Sequence, residues 1–128
     1  MHPLSPTRVL VVEDEAMIAM LIEDMLCNLG CVPVGPAHNA AKALELIQSE
    51  RFDAAILDVN LGGVLAYPVA DMLVAREIPF IFTSGYEDNA LRTRYSNVKT
   101  CTKPYQFEAM EEALVQAMSA SPEAEKLG

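Results

Sequence analysis

Five side chains with distinct chemistry each follow a short strand-like run of this sequence. They are an acidic pair, a single acid, a hydroxyl and a lysine, namely Glu13, Asp14, Asp58, Ser84 and Lys103. Three carboxylates held close together repel one another, and a divalent cation relieves that repulsion. Mg²⁺ prefers oxygen ligands, usually a few carboxylates together with waters and substrate oxygens. The set therefore predicts a magnesium site beside a carboxylate nucleophile.

The acidic residues take separate roles in this prediction. We expect Asp14 and Asp58 to bind Mg²⁺ directly and Glu13 to bind it through a water. The backbone carbonyl of Asn60 offers a further oxygen ligand. Asp58 is the expected nucleophile, because a carboxylate can form an acyl phosphate. The cation would neutralise charge on the incoming phosphoryl oxygens.

Lys103 and Ser84 are expected to contact the phosphoryl group itself. Pro104 prevents the strand ladder from continuing and helps to aim the Lys103 ammonium at a phosphoryl oxygen. The Ser84 hydroxyl can donate to another of these oxygens. Taken singly, each residue has an ordinary interpretation as a turn, helix-cap or surface residue. The ordered combination, with each group after its own strand, favours the functional interpretation.

The elements that must position these residues alternate along the chain. Strands are predicted from short apolar and β-branched runs at residues 8–12, 32–34, 54–57, 80–83 and 98–102. Helices are predicted at residues 15–29, 40–49, 67–76, 88–95 and 107–118. This alternation predicts an α/β domain with a parallel five-stranded sheet and helices on both faces. Ligands of such sheets lie outside the carboxyl ends of the strands, where all five side chains fall.

Composition limits the partners of this domain. The 128 residues include 18 acidic and 9 basic side chains, for a formal charge of −9. Such a surface repels nucleic acids and anionic membranes, and it suits a basic partner or a metal cation. We find no signal peptide and no apolar run near ~18 residues, so a soluble cytoplasmic protein is expected. The three cysteines match no zinc pattern and are expected to be reduced.

The chain resembles the receiver domains of response regulators, the phosphoacceptor half of two-component signalling. The likeness is carried by the segments VVEDE, ILDVNLGG, FTSGY and TKPY, which contain the five side chains above. It implies a flavodoxin-like (βα)5 three-layer sandwich with the strand order 2-1-3-4-5. The receiver domain would span residues 8–118, between an N-terminal extension (1–7) and a polar C-terminal tail (119–128).

The resemblance also implies a reaction and its partners. A phosphohistidine on a sensor histidine kinase, or on a histidine phosphotransfer protein, would donate its phosphoryl group to Asp58. The acyl phosphate would then hydrolyse by self-catalysis, so no turnover enzyme is expected. Asn60 and Tyr86 occupy positions that tune this hydrolysis in the family. Because no output domain is apparent after residue 118, we expect output by binding another protein, by competing for phosphoryl groups or by relaying them. The expected contact surface is the fourth helix, fifth strand and fifth helix.

The chain resembles one subgroup of receivers more closely, and it departs from the usual receiver pattern at the aromatic residue that moves on phosphorylation. The segments PFIFTSGY (residues 79–86) and YPVADMLVAREIPF (residues 67–80) resemble the "FATGUY" single-domain regulators of alphaproteobacteria, which are associated with the general stress response. Receivers usually carry Phe or Tyr three residues before the lysine, a ring that moves inward on phosphorylation. Thr100 stands there and cannot fill the same volume. We therefore hypothesise that Tyr86 supplies the moving aromatic.

Three other functions compete with this interpretation. An aspartate-nucleophile phosphohydrolase would need an acid–base group at residue 60, and Asn60 cannot transfer protons in that way. A pseudo-receiver that only binds partners would not need the intact set of phosphoryl-binding side chains. A nucleotide-binding domain would show a GxGxxG or P-loop sequence after the first strand, and this chain shows neither.

Overall fold

The computed structural model describes residues 7–61, 64–84, 95, 98–102 and 106–119. These residues form seven strands, β1 (Arg8–Val12), β2 (Val32–Ala37), β3 (Ala54–Asp58), β4 (Asn60–Leu61), β5 (Val64–Leu65), β6 (Phe80–Ser84) and β7 (Thr100–Thr102). They also form four helices, α1 (Ala16–Asn28), α2 (Ala40–Ser49), α3 (Tyr67–Ala75) and α4 (Phe107–Ser119). The helix predicted at residues 88–95 lies outside the described residues, except for Tyr95.

Five of the strands form one parallel sheet in the order β2-β1-β3-β6-β7. Without the short β4 and β5, this is the order 2-1-3-4-5, so the predicted topology is confirmed. Strands β4 and β5 were not predicted, and they pair antiparallel as a separate sheet between β3 and α3. The central strand β3 is buried along its whole length. Its apolar run therefore ends in a buried acid, Asp58.

Side chains that alternate along the strands build two cores, one on each face of the sheet. On one face Val11 and Ile56 pack in a cluster with residues of α1 and α4. On the other face Leu57 and Phe82 pack in a cluster with residues of α2 and α3. The fold is therefore a three-layer sandwich with the sheet in the middle, as the alternation of elements predicts.

The edge strand β2 runs further than the sequence predicts. Pro33 in the sequence favours either an edge position or a strand end; β2 does lie at the edge of the sheet, and it continues past Pro33 to Ala37. Gly35 has a φ of 96°, and a Cβ there would lie 2.9 Å from the Ala37 nitrogen and 3.3 Å from the Val11 carbonyl oxygen. Only glycine fits this close approach without strain. The extension matters for function, because the Ala37 carbonyl accepts a hydrogen bond from the Glu13 N–H (3.0 Å).

Helix α1 ends at the glycine that the sequence indicates. Gly30 has a φ of 82°, in the left-handed region. Its N–H donates to the Cys27 carbonyl (3.1 Å), and the Cys31 N–H donates to the Leu26 carbonyl (2.8 Å). These two bonds form a Schellman motif. They turn the chain sharply from the helix into strand β2.

Two apolar helix residues lie outside the core. Helical spacing places Leu21 of α1 and Phe107 of α4 with the apolar residues of their helices and predicts that they face inward, but they are 49% and 45% exposed. Helix α1 instead turns Ala19, Ile22 and Leu26 towards the sheet, and this stripe leaves Leu21 beyond its edge. Among the described residues, no helix is both long and apolar enough to cross a membrane.

Candidate functional site

The acidic residues lie where two neighbouring strands end at one edge of the sheet. Glu13 and Asp14 directly follow β1, and Asp58 is the last residue of β3. Val12 and Leu57 are register partners in these parallel strands. The residues that follow them are therefore held side by side, on strands about 4.8 Å apart.

Glu13, Asp14 and Asp58 form a cluster suited to a cation. Each offers one carboxylate oxygen, and these oxygens all lie within 4.8 Å of one another. Glu13 is 0% exposed and Asp58 is 4% exposed, whereas Asp14 is partly buried. Negative charges this close and this buried require compensation, which a hard divalent cation provides. The structure brings together the three carboxylates that the sequence singles out.

Backbone N–H groups orient two of these carboxylates. The Asn60 N–H donates to Asp58 Oδ1 (3.2 Å), and the Glu15 N–H donates to Glu13 Oε1 (3.4 Å). In each case the donor lies two residues after the acid, so the turn that leaves the strand holds the side chain. The described contact of Asn60 with Asp58 is made by its N–H, and metal binding by its carbonyl stays a prediction.

His38 supports the site from the neighbouring edge strand, and no sequence pattern points to it. Its Nδ1 lies 2.9 Å from the Glu13 carbonyl oxygen, so the tautomer with a proton on Nδ1 donates to that oxygen. The backbone of Glu13 is thus held on both sides by the chain at the end of β2. The two residues are far apart in sequence, and only the pairing of β1 with β2 brings them together.

Strand β6 ends in two buried hydroxyl residues, of which the sequence predicts only Ser84 for the site. Ser84 ends β6 and is buried, but the register partner of Asp58 is the preceding Thr83. Register partners share a face of the sheet, so the Thr83 side chain lies on the same face as Asp58. Thr83 Oγ1 is buried and has no hydrogen-bond partner within the described part of the chain. A threonine inside a strand has an ordinary packing explanation, which is why the sequence does not single it out.

The remaining predicted residues follow strand β6 in the sequence. Lys103 and Tyr86 fall outside the described residues, and their roles stay predictions. Thr100 begins β7, is exposed and is the register partner of Phe82. The rings of Phe80 and Tyr95 pack against Phe82, with centroids 5.3 and 5.4 Å away. Tyr95 is one of two tyrosines between β6 and β7 in the sequence, and no spacing distinguishes it from Tyr86.

Burial distinguishes the three cysteines, which are all free thiols as expected. Cys27 is exposed, whereas Cys31 is buried and Cys101 is half-buried. Burial raises the pKa of the Cys31 thiol, with a smaller contribution from Cys27. Burial also raises the pKa of Cys101, which is the register partner of Thr83. The two less accessible thiols are therefore less easily ionised.

Known proteins match this chain over most of its length. The family model of the response regulator receiver domain matches residues 9–115. The solution structure of SdrG from Sphingomonas melonis is 42% identical with a TM-score of 0.77, and the match covers 88% of this chain and 96% of SdrG. The crystal structure of the response regulator PhyR from Brucella abortus is 29% identical with a TM-score of 0.83, over 95% of this chain and 51% of that protein.

The curated relatives are longer than this chain. The phyllosphere-induced regulator PhyR of Methylorubrum extorquens is 29% identical, over 88% of this chain and 43% of its own length. The positive alginate biosynthesis regulatory protein of Pseudomonas aeruginosa is 33% identical, over 85% of this chain and 46% of its own length. The chain thus spans about half the length of these relatives.

Proposed function

The chain belongs to the response regulator receiver domain family, and we propose on this basis that its Asp58 accepts a phosphoryl group from a phosphohistidine. The observation that carries the proposal is the acidic cluster at the strand ends. Asp58 lies there with Glu13 and Asp14, and their oxygens are within 4.8 Å of one another. A carboxylate nucleophile beside two further acids suits phosphoryl transfer assisted by a cation.

The proposed reaction exchanges one bond to phosphorus for another. A carboxylate oxygen of Asp58 attacks the phosphorus, a new O–P bond forms and the N–P bond of the donor histidine breaks. The departing imidazole keeps the electron pair of that bond. The Asn60 N–H, 3.2 Å from Asp58 Oδ1, restrains the carboxylate in one orientation for this attack. Hydrolysis later breaks the O–P bond and restores the carboxylate.

Mg²⁺ is the proposed cofactor, held by Glu13, Asp14 and Asp58 with the Asn60 carbonyl as a further ligand. The donor set fits, because it consists of hard carboxylate oxygens and the cluster includes no thiol or imidazole. When bound, the ion supplies positive charge that offsets repulsion between the carboxylates and the phosphoryl oxygens. Backbone hydrogen bonds to Glu13 and Asp58 pre-orient two of the ligands.

Ser84 and Lys103 are the proposed contacts of the phosphoryl oxygens. Ser84 ends the strand next to β3, and its hydroxyl supplies a donor. Lys103 directly follows β7 in sequence, and its ammonium supplies a point charge. Asn60 and Tyr86 are the proposed tuners of hydrolysis, and Tyr86 remains our hypothesis for the moving aromatic in place of Thr100.

The proposed donor is a sensor histidine kinase or a histidine phosphotransfer protein, which places the exchange in the cytoplasm. Output would pass through protein contacts or phosphoryl relay, because a formal charge of −9 disfavours nucleic-acid binding. We propose no turnover of phosphomonoesters. Asn60, two residues after the acceptor, carries an amide that is too weak an acid and too weak a base for general acid–base catalysis.

Incubation with Mg²⁺ and acetyl phosphate, followed by intact-mass measurement, tests the role of Asp58. The wild type is expected to gain one phosphoryl group, and Asp58→Asn is expected to gain none because an amide is not a competent nucleophile. Asp53→Asn is the matched control, with the same change at the opposite end of β3. Asp53 accepts the Arg8 N–H (2.9 Å), and asparagine can keep that bond. An adduct on Asp58→Asn, or none on the wild type, would refute the proposal.

A further inference from the structure

Tyr95 anchors the chain between β6 and β7 to helix α3. The residue is 8% exposed, and its hydroxyl donates to Asp71 Oδ1 across 2.6 Å. The same hydroxyl lies 3.4 Å from the Tyr67 carbonyl oxygen. The Tyr95 ring packs on Tyr67 and Phe82, with centroids 5.8 and 5.4 Å away. One side chain therefore contacts both α3 and β6.

A backbone hydrogen bond connects the region where Tyr95 contacts α3 with the residue after Asp58. Val59, directly after Asp58, accepts a bond at its carbonyl from the Ala66 N–H (2.9 Å). Ala66 immediately precedes Tyr67, on which the Tyr95 ring packs. The backbone directly after Asp58 is thus hydrogen-bonded to the residue that precedes α3.

The contact of Tyr95 with β6 is made close to Ser84, whose hydroxyl belongs to the proposed site. Phe82 lies two residues before Ser84 on the same strand. The Thr83 carbonyl between them accepts a hydrogen bond from the Val59 N–H (3.0 Å). Val59 is therefore bonded to both elements that Tyr95 bridges. A change at the end of β3 or β6 alters the surface against which the Tyr95 ring packs.

We propose that the Tyr95–Asp71 hydrogen bond is coupled to phosphorylation and stabilises the arrangement with an unmodified acceptor. The inference rests on the proposed function of Asp58. In the described arrangement Asp58 Oδ1 accepts the Asn60 N–H, as a carboxylate does. The oxygens of a phosphoryl group on Asp58 need hydrogen-bond donors from the strand ends. The backbone at those ends is displaced because the donors must move to reach these oxygens. A 2.6 Å hydrogen bond tolerates little displacement, so the bond opposes the change.

Binding of beryllofluoride with Mg²⁺, followed by NMR signals of the folded protein, tests this coupling. Tyr95→Phe removes the hydroxyl and keeps the ring, and we expect it to bind beryllofluoride about fivefold more tightly than the wild type. Asp71→Ala is expected to give a similar gain. The double variant is expected to gain no more than either single variant, because both changes remove the same bond.

Glu45→Ala is the control for the lost negative charge of Asp71. Glu45 is an exposed acid of α2 that pairs with Lys42 (3.4 Å), and its removal is expected to leave beryllofluoride affinity unchanged. Unchanged or weaker binding by Tyr95→Phe, with normal wild-type binding, would overturn the coupling and leave the role of Asp58 intact. Additive gains in the double variant would also overturn it. Absence of binding by the wild type would overturn both the coupling and the proposed function.

Discussion

Glu13 and Asp58 are buried acids in a chain that already carries a net charge of −9. Burying a carboxylate costs several kcal/mol, on the order of the whole folding stability, unless hydrogen bonds or opposite charge offset it. The N–H groups of Glu15 and Asn60 provide part of the offset. The sequence indicates which acids converge, whereas their depth of burial and their backbone donors depend on the strand pairing around them.

Thiol accessibility gives a prediction at the scale of single residues. With a maleimide or a similar thiol reagent near neutral pH, Cys27 is expected to react at least about tenfold faster than Cys31 and Cys101. Cys27 is exposed, whereas burial raises the pKa of the other two thiols and lowers their reactive thiolate fraction. Peptide mapping by mass spectrometry at successive times gives the three rates.

Unfolding in urea is the control for this prediction, since it is expected to make the three labelling rates similar. Faster labelling of Cys101 than of Cys27 in the native protein would contradict the described burial.

Helix ends show how far local sequence determines an element. Helices α1 and α3 both end in a Schellman motif, but Gly30 occupies the left-handed position after α1 and Glu77 occupies it after α3, with a φ of 58°. The Glu77 N–H donates to the Val74 carbonyl, and the Ile78 N–H donates to the Leu73 carbonyl. The glycine at residue 30 predicts the end of α1 from the sequence. The second end is imposed by packing, because Glu77 alone would not predict a left-handed residue.

Single substitutions of Glu77 and Gly30 test the backbone strain at the two helix ends. Glu77→Gly is expected to raise the free energy of unfolding by about 0.5–1 kcal/mol, because glycine adopts a positive φ without a steric penalty. Gly30→Ala is expected to lower the free energy of unfolding by about 1 kcal/mol, because alanine adopts a positive φ only with a steric penalty. Urea denaturation followed by circular dichroism measures both changes. A destabilising Glu77→Gly would show that the Glu77 side chain makes a compensating contact.

At the scale of the whole molecule, the acidic cluster would link the proposed binding of Mg²⁺ to folding. The cluster is assembled from the ends of β1 and β3, so the unfolded chain does not present it. A ligand that binds only the folded state stabilises that state by mass action. Stability in the presence of Mg²⁺ therefore reports on the whole fold and on the three carboxylates together.

Mg²⁺ at about ten times its Kd is expected to raise the free energy of unfolding by about 1.4 kcal/mol. Asp14→Asn should abolish most of this gain, because it removes a charged ligand from the cluster. Asp24→Asn, at an exposed position of α1, should respond to Mg²⁺ as the wild type does. Thermal unfolding at constant ionic strength provides the measurement. An equal gain in Asp14→Asn would exclude the cluster as the binding site.

The sequence alone determined the alternation of elements, the strand order by resemblance, and the three acids of the cluster. The elements and the acids have local causes, since apolar runs, cap residues and strand-end acids each act within a few residues, whereas the strand order came only from the resemblance. Tertiary structure decided the extension of β2 to Ala37, the placement of His38 beside Glu13, and the contact of Tyr95 with α3. Each of these joins segments that are distant along the chain. The pairing of β1 with β2 brings the first two together, and the packing of α3 against the sheet brings the third within hydrogen-bonding distance.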